Sequence, residues 1–258
     1  MLVVKTKSDC WMAKQIFRLV PIVIAVVVSF ACGGERSIAT SAPKPFRALV
    51  FTKTTGYRHD SIPAGVAAIR RLASRHAFQV DTTSDARKFT ARSLRRYDVV
   101  IFLSTTGTPI KDETQRSAFV SYIRRGGGFL GVHAASDTRG DWPWYEGLVG
   151  ARFKRHDRGI TRRAVQLVDT TSAATRGLPN PWERTDEWYE FRSQPQAHLL
   201  ARLDESRPLA WCHRYDGGRS VYTAMGHTKE SYAEPRFVRH LLGAIEMAAG
   251  RARFDCAA

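Results

Sequence analysis

The sequence predicts an α/β domain in three layers, with a mainly parallel β-sheet covered by helices on both faces. Two observations carry that class. Continuous apolar runs at 46–51, 98–103 and 127–133 lack the polar–apolar alternation of a half-wet strand and read as strands buried on both sides. Segments with helical spacing separate them, as crossover connections between parallel strands require. A third observation locates function. The turn Gly126-Gly127-Gly128 leads into a short strand that ends in His133-Ala134-Ala135-Ser136. Open α/β sheets keep their crevices at such carboxyl ends, because the connecting loops diverge there.

The elements follow in order. Residues 46–51 form the first strand, and 62–76 carry Ile62, Val66, Ile69, Leu72 and Ala73 at helical spacing. Residues 77–82 and 98–103 are the second and third strands. Residues 112–125 form a helix with Phe119, Tyr122 and Ile123 on one side, and 127–133 the fourth strand. After Arg152 the pattern changes to shorter segments at 163–168, 188–192, 199–203, 208–213 and 220–225, which read as sheet-edge or hairpin strands. A helix over 235–249 closes the domain, with Pro235 in its first turn. Nothing repeats, so 46–250 reads as one domain with a short tail at 251–258.

The N-terminus is a different material. Lys5, Lys7, Lys14 and Arg18 precede an apolar run at 19–28 that is short for a membrane span, followed by Ser29-Phe30-Ala31-Cys32-Gly33-Gly34. Residues 1–31 are thus expected to be an export signal. Cys32 stands where a bacterial lipoprotein is cut and lipidated, and 32–45 is a Ser/Ala/Pro tether. The expected location is the cell envelope, with the membrane reached through the lipid. Setting 1–31 aside removes four bases and one acid from 40 and 24, leaving 36 and 23, a net charge of +13. The arginines fall in separate pairs (Arg70-Arg71, Arg95-Arg96, Arg124-Arg125, Arg162-Arg163) without a zinc-finger or helix-turn-helix spacing, so they read as solvated surface and no nucleic-acid partner is expected. Cys212 and Cys256 remain in the domain. They are expected to be idle thiols, with a disulfide as the alternative. Homo-oligomerisation stays open.

Four loops gather the chemistry. Residues 52–61 follow the first strand and include Tyr57-Arg58-His59-Asp60. Ser104-Thr105-Thr106-Gly107 follows the third, His133 the fourth, and Gly226-His227 the last. His59, His133 and His227, with a carboxylate, would serve as general acid and base. They suit a divalent metal equally, since neutral imidazole and carboxylate ligate zinc, iron or manganese. Asp186-Glu187 supplies the carboxylate. In an extended stretch neighbours face opposite ways, so Glu187 shares a face with Tyr189 while Asp186 faces the other side. Arg58, Asp60, Thr106 and Tyr189 are expected to contact substrate, and Trp142 to stack on a sugar face. His156 could reach the rim but reads equally as part of a solvated basic turn.

These pieces resemble one family. Residues 50–62 (Val-Phe-Thr-Lys-Thr-Thr-Gly-Tyr-Arg-His-Asp-Ser-Ile), the glycine turn through His133, residues 145–153 before His156, Asp186-Glu187-Trp188-Tyr189, Pro208-Leu209-Ala210-Trp211 and Gly226-His227 are similar to the ThuA-like (trehalose utilisation) family. That family is a branch of the class I glutamine amidotransferase-like fold, itself flavodoxin-like. The resemblance implies a role in the metabolism of trehalose or a related disaccharide or keto-sugar. An amidotransferase needs a cysteine in its Gly-x-Cys-x-Gly elbow and a later His-Pro-Glu. Here Gly131-Val132-His133 puts a histidine at the elbow, and Lys229 stands two residues after His227. Glutaminase chemistry is excluded. A lyase, isomerase or hydrolase acting on a keto-sugar or glycoside remains, with a non-catalytic sugar-binding module at the cell surface as the alternative.

Overall fold

The computed structural model describes residues 45–138 and 142–256. The expected leader, the Cys32 lipidation site and the tether up to residue 44 lie outside the described residues. The first half follows the hydrophobic pattern: β1 (Phe46–Phe51), α1 (Ile62–Arg75), β2 (Phe78–Thr83), a single helical turn α2 (Ala91–Leu94), β3 (Val99–Leu103), α3 (Glu113–Arg124) and β4 (Gly128–Val132). Then come α4 (Pro143–Val149), β5 (Phe153–His156), β6 (Thr161–Leu167), β7 (Trp182–Asp186), β8 (Tyr189–Phe191), β9 (His198–Asp204), β10 (Arg207–Tyr215), β11 (Gly218–Thr223) and α5 (Pro235–Ala248).

Nine strands form one sheet in the order β2-β1-β3-β4-β11-β10-β9-β6-β7, and β5 pairs with β8 in a separate ribbon. The pairings from β2 to β11 are parallel. Those from β11 to β7 are antiparallel. The sheet is therefore mixed in equal halves rather than mainly parallel. Of the short strands expected late in the chain as edge or hairpin strands, β9, β10 and β11 form antiparallel hairpins and with β6 extend the main sheet, whereas β8 pairs apart with β5.

Every residue of β3 and β4 is buried, which explains why they read as uninterrupted apolar runs. Phe102 on β3 meets Phe51, Phe89, Phe119, Phe129 and Tyr145, so one aromatic cluster ties the strand to α3 and α4. On α1 and α5, Ile69, Leu72, Leu241 and Ile245 are buried, and these two helices pack against each other and against β3. Gly128 is required where β4 starts: a Cβ there would stand 2.0 Å from the Ala248 carbonyl oxygen at the end of α5.

Cys212 on β10 and Cys256 in the tail are joined as a disulfide, correcting the expectation of idle thiols. Their Cα atoms lie 5.4 Å apart across 44 residues of sequence, a proximity that no local pattern announces.

His240 on α5 is 1% exposed and its Nδ1–H donates to the Ala174 carbonyl at 2.9 Å. Burial, reinforced by the Arg184 guanidinium, pushes its pKa down to about 4. The unfolded chain therefore binds more protons than the folded one between about pH 6.5 and 4, and stability must fall as pH falls through that window. The contribution is about 3 kcal/mol by pH 4. Urea unfolding at steps from pH 7 to 4 should show this loss, with a shallower slope in His240→Leu; an unchanged slope would remove His240 as its source.

Candidate functional site

The parallel register brings the carboxyl ends of β1, β3, β4 and β11 to one edge: Phe51 sits opposite Phe102, and Val132 lies between Leu103 and Thr223. Three histidines arise there. His59 comes from the loop after β1. His133 immediately follows β4, in a left-handed conformation with φ 51°, and His227 follows β11 through Gly226 at φ 108°. A non-glycine residue held at positive φ marks a tight elbow that turns its side chain out of the strand. Glu187 and Tyr189 enter from the β7–β8 junction.

The arrangement is close and mostly dry. His133 Nδ1 lies 2.7 Å from the Ala224 carbonyl, and a carbonyl only accepts, so Nδ1 carries the proton. In the neutral tautomer Nε2 then holds a lone pair. It faces the Tyr189 hydroxyl at 3.0 Å, His227 Nδ1 at 3.1 Å and Glu187 Oε2 at 3.5 Å. His227 Nδ1 lies 3.2 Å from the same Glu187 oxygen. His59 stands edge-on to both other imidazoles, with ring centroids at 4.8 and 5.1 Å. One donor atom from each of His59, His133, His227 and Glu187 lies within 4.8 Å of the others. These donor types suit a divalent metal as well as proton transfer.

The electrostatics follow from burial and mutual pairing. Burial, with the fields of His133 and His227, pushes the His59 pKa down to about 3, so this ring is neutral. Burial acts to raise the Glu187 carboxyl, but hydrogen bonds and charge from His133 and His227 outweigh it and hold the group well below the usual carboxylate range. The hydrogen bond to Glu187 raises His227 in return, against its own burial. Burial first, then the fields of Tyr222 and Glu187, keeps the Tyr189 phenol protonated far above its ordinary range.

The remaining expected contacts divide. Thr106 is buried and its hydroxyl donates to the Tyr57 carbonyl at 2.7 Å, which fastens the 52–61 loop to the end of β3. Arg58 reaches back to the Thr52 carbonyl at 3.1 Å, and Asp60 pairs with Lys229 Nζ at 2.8 Å, joining the rims of two loops. Trp142 does not stand as a platform. It stacks on Trp144 and Tyr145 and lies under the Arg116 guanidinium, so its ring contributes to internal packing. Tyr57 takes the exposed position instead: the residue is 68% exposed and its ring meets His59 edge-on at 4.9 Å.

Two further residues belong to the site. His156 on β5 pairs in register with Tyr189 on β8, and its Nδ1 lies 3.3 Å from Glu187 Oε1, the oxygen turned away from His227. Asp186 is fully buried and accepts from the backbone N–H groups of Glu187 (2.9 Å), Gly226 (2.8 Å) and His227 (3.0 Å), while Arg184 pairs with it at 2.8 Å. One carboxylate thus seats both Glu187 and His227.

The sequence profile of the family described as ThuA, trehalose utilisation, matches residues 47–248. The chain belongs to the ThuA family. Its ThuA region runs from β1 to the end of α5 and contains all four donors, whereas Cys256 lies beyond it. A solved ThuA-like protein of Bacteroides uniformis ATCC 8492 is similar at 23% identity and a TM-score of 0.67, over 80% of this chain and 92% of that one. A second, from Parabacteroides merdae ATCC 43184, is similar at 20% identity and a TM-score of 0.65, over 80% and 90%. At such identities the likeness shows the ThuA fold alone. No curated protein is significantly similar to this ThuA chain.

Proposed function

We propose that this chain is an exported protein of carbohydrate metabolism that transforms a disaccharide or its keto derivative at the histidine–glutamate cluster. The scaffold is read as the three-layer α/β/α fold of the class I glutamine amidotransferases, with the elbow kept and its chemistry replaced. The observation that carries the proposal is the convergence of His59, His133, His227 and Glu187 on one point, with Tyr189 bonded to His133. The trehalose-utilisation description of the family supplies the substrate class. Covalent thiol chemistry has no support, because the elbow residue is His133 and the Cys212 sulfur is bonded to Cys256. That disulfide favours export, since such bonds persist in oxidising compartments.

A ketone beside a C–H bond acidifies that bond. A site that can remove the proton and steady the resulting enolate can then isomerise the sugar or expel a glycosidic oxygen, with no acyl-enzyme intermediate. The test is NMR of the full-length protein with trehalose, 3-keto-trehalose and related glycosides. Wild type should convert a keto-sugar, and His133→Ala, checked for native circular dichroism, should lose about 100-fold or more. Full activity in His133→Ala would overturn the assignment. Line broadening by sugars without turnover would select the binding module.

A further inference from the structure

We infer that His59, His133, His227 and Glu187 are the ligands of a resident divalent first-row transition-metal ion. The inference stands on donor geometry and does not depend on the sugar reading. Nitrogen and oxygen ligands about 2.0–2.1 Å from a tetrahedral ion stand about 3.3 Å from one another. The three distances among His133 Nε2, His227 Nδ1 and Glu187 Oε2 are 3.1, 3.2 and 3.5 Å, which are the edges of one face of such a polyhedron. His59 approaches from the remaining side, its donor within 4.8 Å of the other three. Its Nδ1 is buried and has no hydrogen-bond partner among the described residues, so the fold has not committed that ring.

The outer contacts match those of a metal centre. A ligating histidine ordinarily donates its other ring N–H to a carbonyl or carboxylate, which fixes the tautomer and aims the lone pair. His133 does so through Nδ1 to the Ala224 carbonyl. Asp186 fixes the backbone of Glu187 and of His227 together, and the free oxygen of Glu187 faces His156.

The donor set selects the class of ion. Magnesium and calcium take oxygen ligands. Three imidazoles and one carboxylate suit zinc, iron or manganese. The His227 and Glu187 side chains keep 21% and 10% of their surface exposed, so solvent reaches the centre, where it would take a fifth position beside the four protein ligands. There the ion would polarise a carbonyl or a bound water.

The full-length protein, stripped with a chelator, should bind about one equivalent of Zn2+, Mn2+ or Co2+ by elemental analysis and titration. The bound Co2+ should show the ligand-field bands of a nitrogen–oxygen site. His133→Ala and Glu187→Ala should each weaken binding at least about 100-fold. His198→Ala, at a surface histidine paired with Asp169, should not. Should the cluster variants fail to fold, Mn2+ added to wild type should broaden the imidazole signals of His59, His133 and His227 first. A natively folded wild type that takes up none of these ions at micromolar concentration would overturn the inference. So would binding that survives both substitutions, or broadening centred elsewhere.

Discussion

Asp186→Ala should cost about 3–5 kcal/mol of folding stability and disable the site at the same time. Both Asp186 and Arg184 have fully buried side chains, and the guanidinium lies over the rings of Trp182 and Phe237 at 4.8 and 4.5 Å. Without the carboxylate, that cation keeps only Glu234, at 3.6 Å, as a charge partner among the described residues. An uncompensated buried charge costs far more than the intact pair contributes. The backbone N–H groups of Glu187, Gly226 and His227 would lose their acceptor together. Two consequences can be separated by the double variant Arg184→Met with Asp186→Leu. Replacing both charges with apolar groups of similar size should return the part of the loss that comes from the unpaired Arg184 cation, leaving the cost of the three loop amides without their acceptor. It should not return keto-sugar turnover or metal uptake, since neither new side chain can accept from the loop amides. Urea unfolding beside turnover and metal content measures both. A stable Asp186→Ala with an unchanged site would show that the loop is held by other means.

The legible part of this chain is the part whose burial is uniform. Strands β1, β3 and β4 announce themselves because both faces are covered, so their residues are apolar, with the half-buried Arg47 of β1 as the exception. Strand β7, Trp-Glu-Arg-Thr-Asp, escapes the pattern for the opposite reason: its buried positions include Arg184 and Asp186, which satisfy one another only in three dimensions. β5, Phe-Lys-Arg-His, is largely exposed and carries no periodic signal. Among site residues, the three histidines are readable because each follows a strand. Glu187 and Tyr189 are readable from the alternation of an extended chain. That alternation sets Asp186 on the far face, but nothing local says that this face looks onto the amides of residues 226 and 227. Trp142 misleads because an aromatic in a loop looks available until its partners Trp144 and Tyr145 are known. His156 needs the pairing of β5 with β8, and Tyr57 needs its exposure, neither of which composition encodes.

Opening the disulfide should lower stability by up to about 4 kcal/mol, the chain-entropy value for a loop closed by residues 44 apart. The direction follows from the unfolded state, which the bond deprives of conformations, rather than from any packing it supplies to the folded one. Cys212 is fully buried in β10, in the antiparallel half of the sheet, while Cys256 belongs to a tail held also by the Arg251–Asp98 pair at 2.8 Å and by Phe254, which packs on the core under the Arg214 guanidinium. That asymmetry sets how much of the ceiling is reached. If the tail stays docked without the bond, the full entropy applies, and the melting temperature should drop by about 10 °C. If the tail detaches below the main transition, only a small shift remains and a second, low-temperature step appears. Thermal unfolding of wild type with and without a reductant, beside Cys212→Ala with Cys256→Ala, distinguishes these cases. The double variant should be indifferent to reductant and melt with the reduced wild type. Titratable thiols at both Cys212 and Cys256 in protein recovered from an oxidising compartment would refute the bond, and with it the main structural support for export.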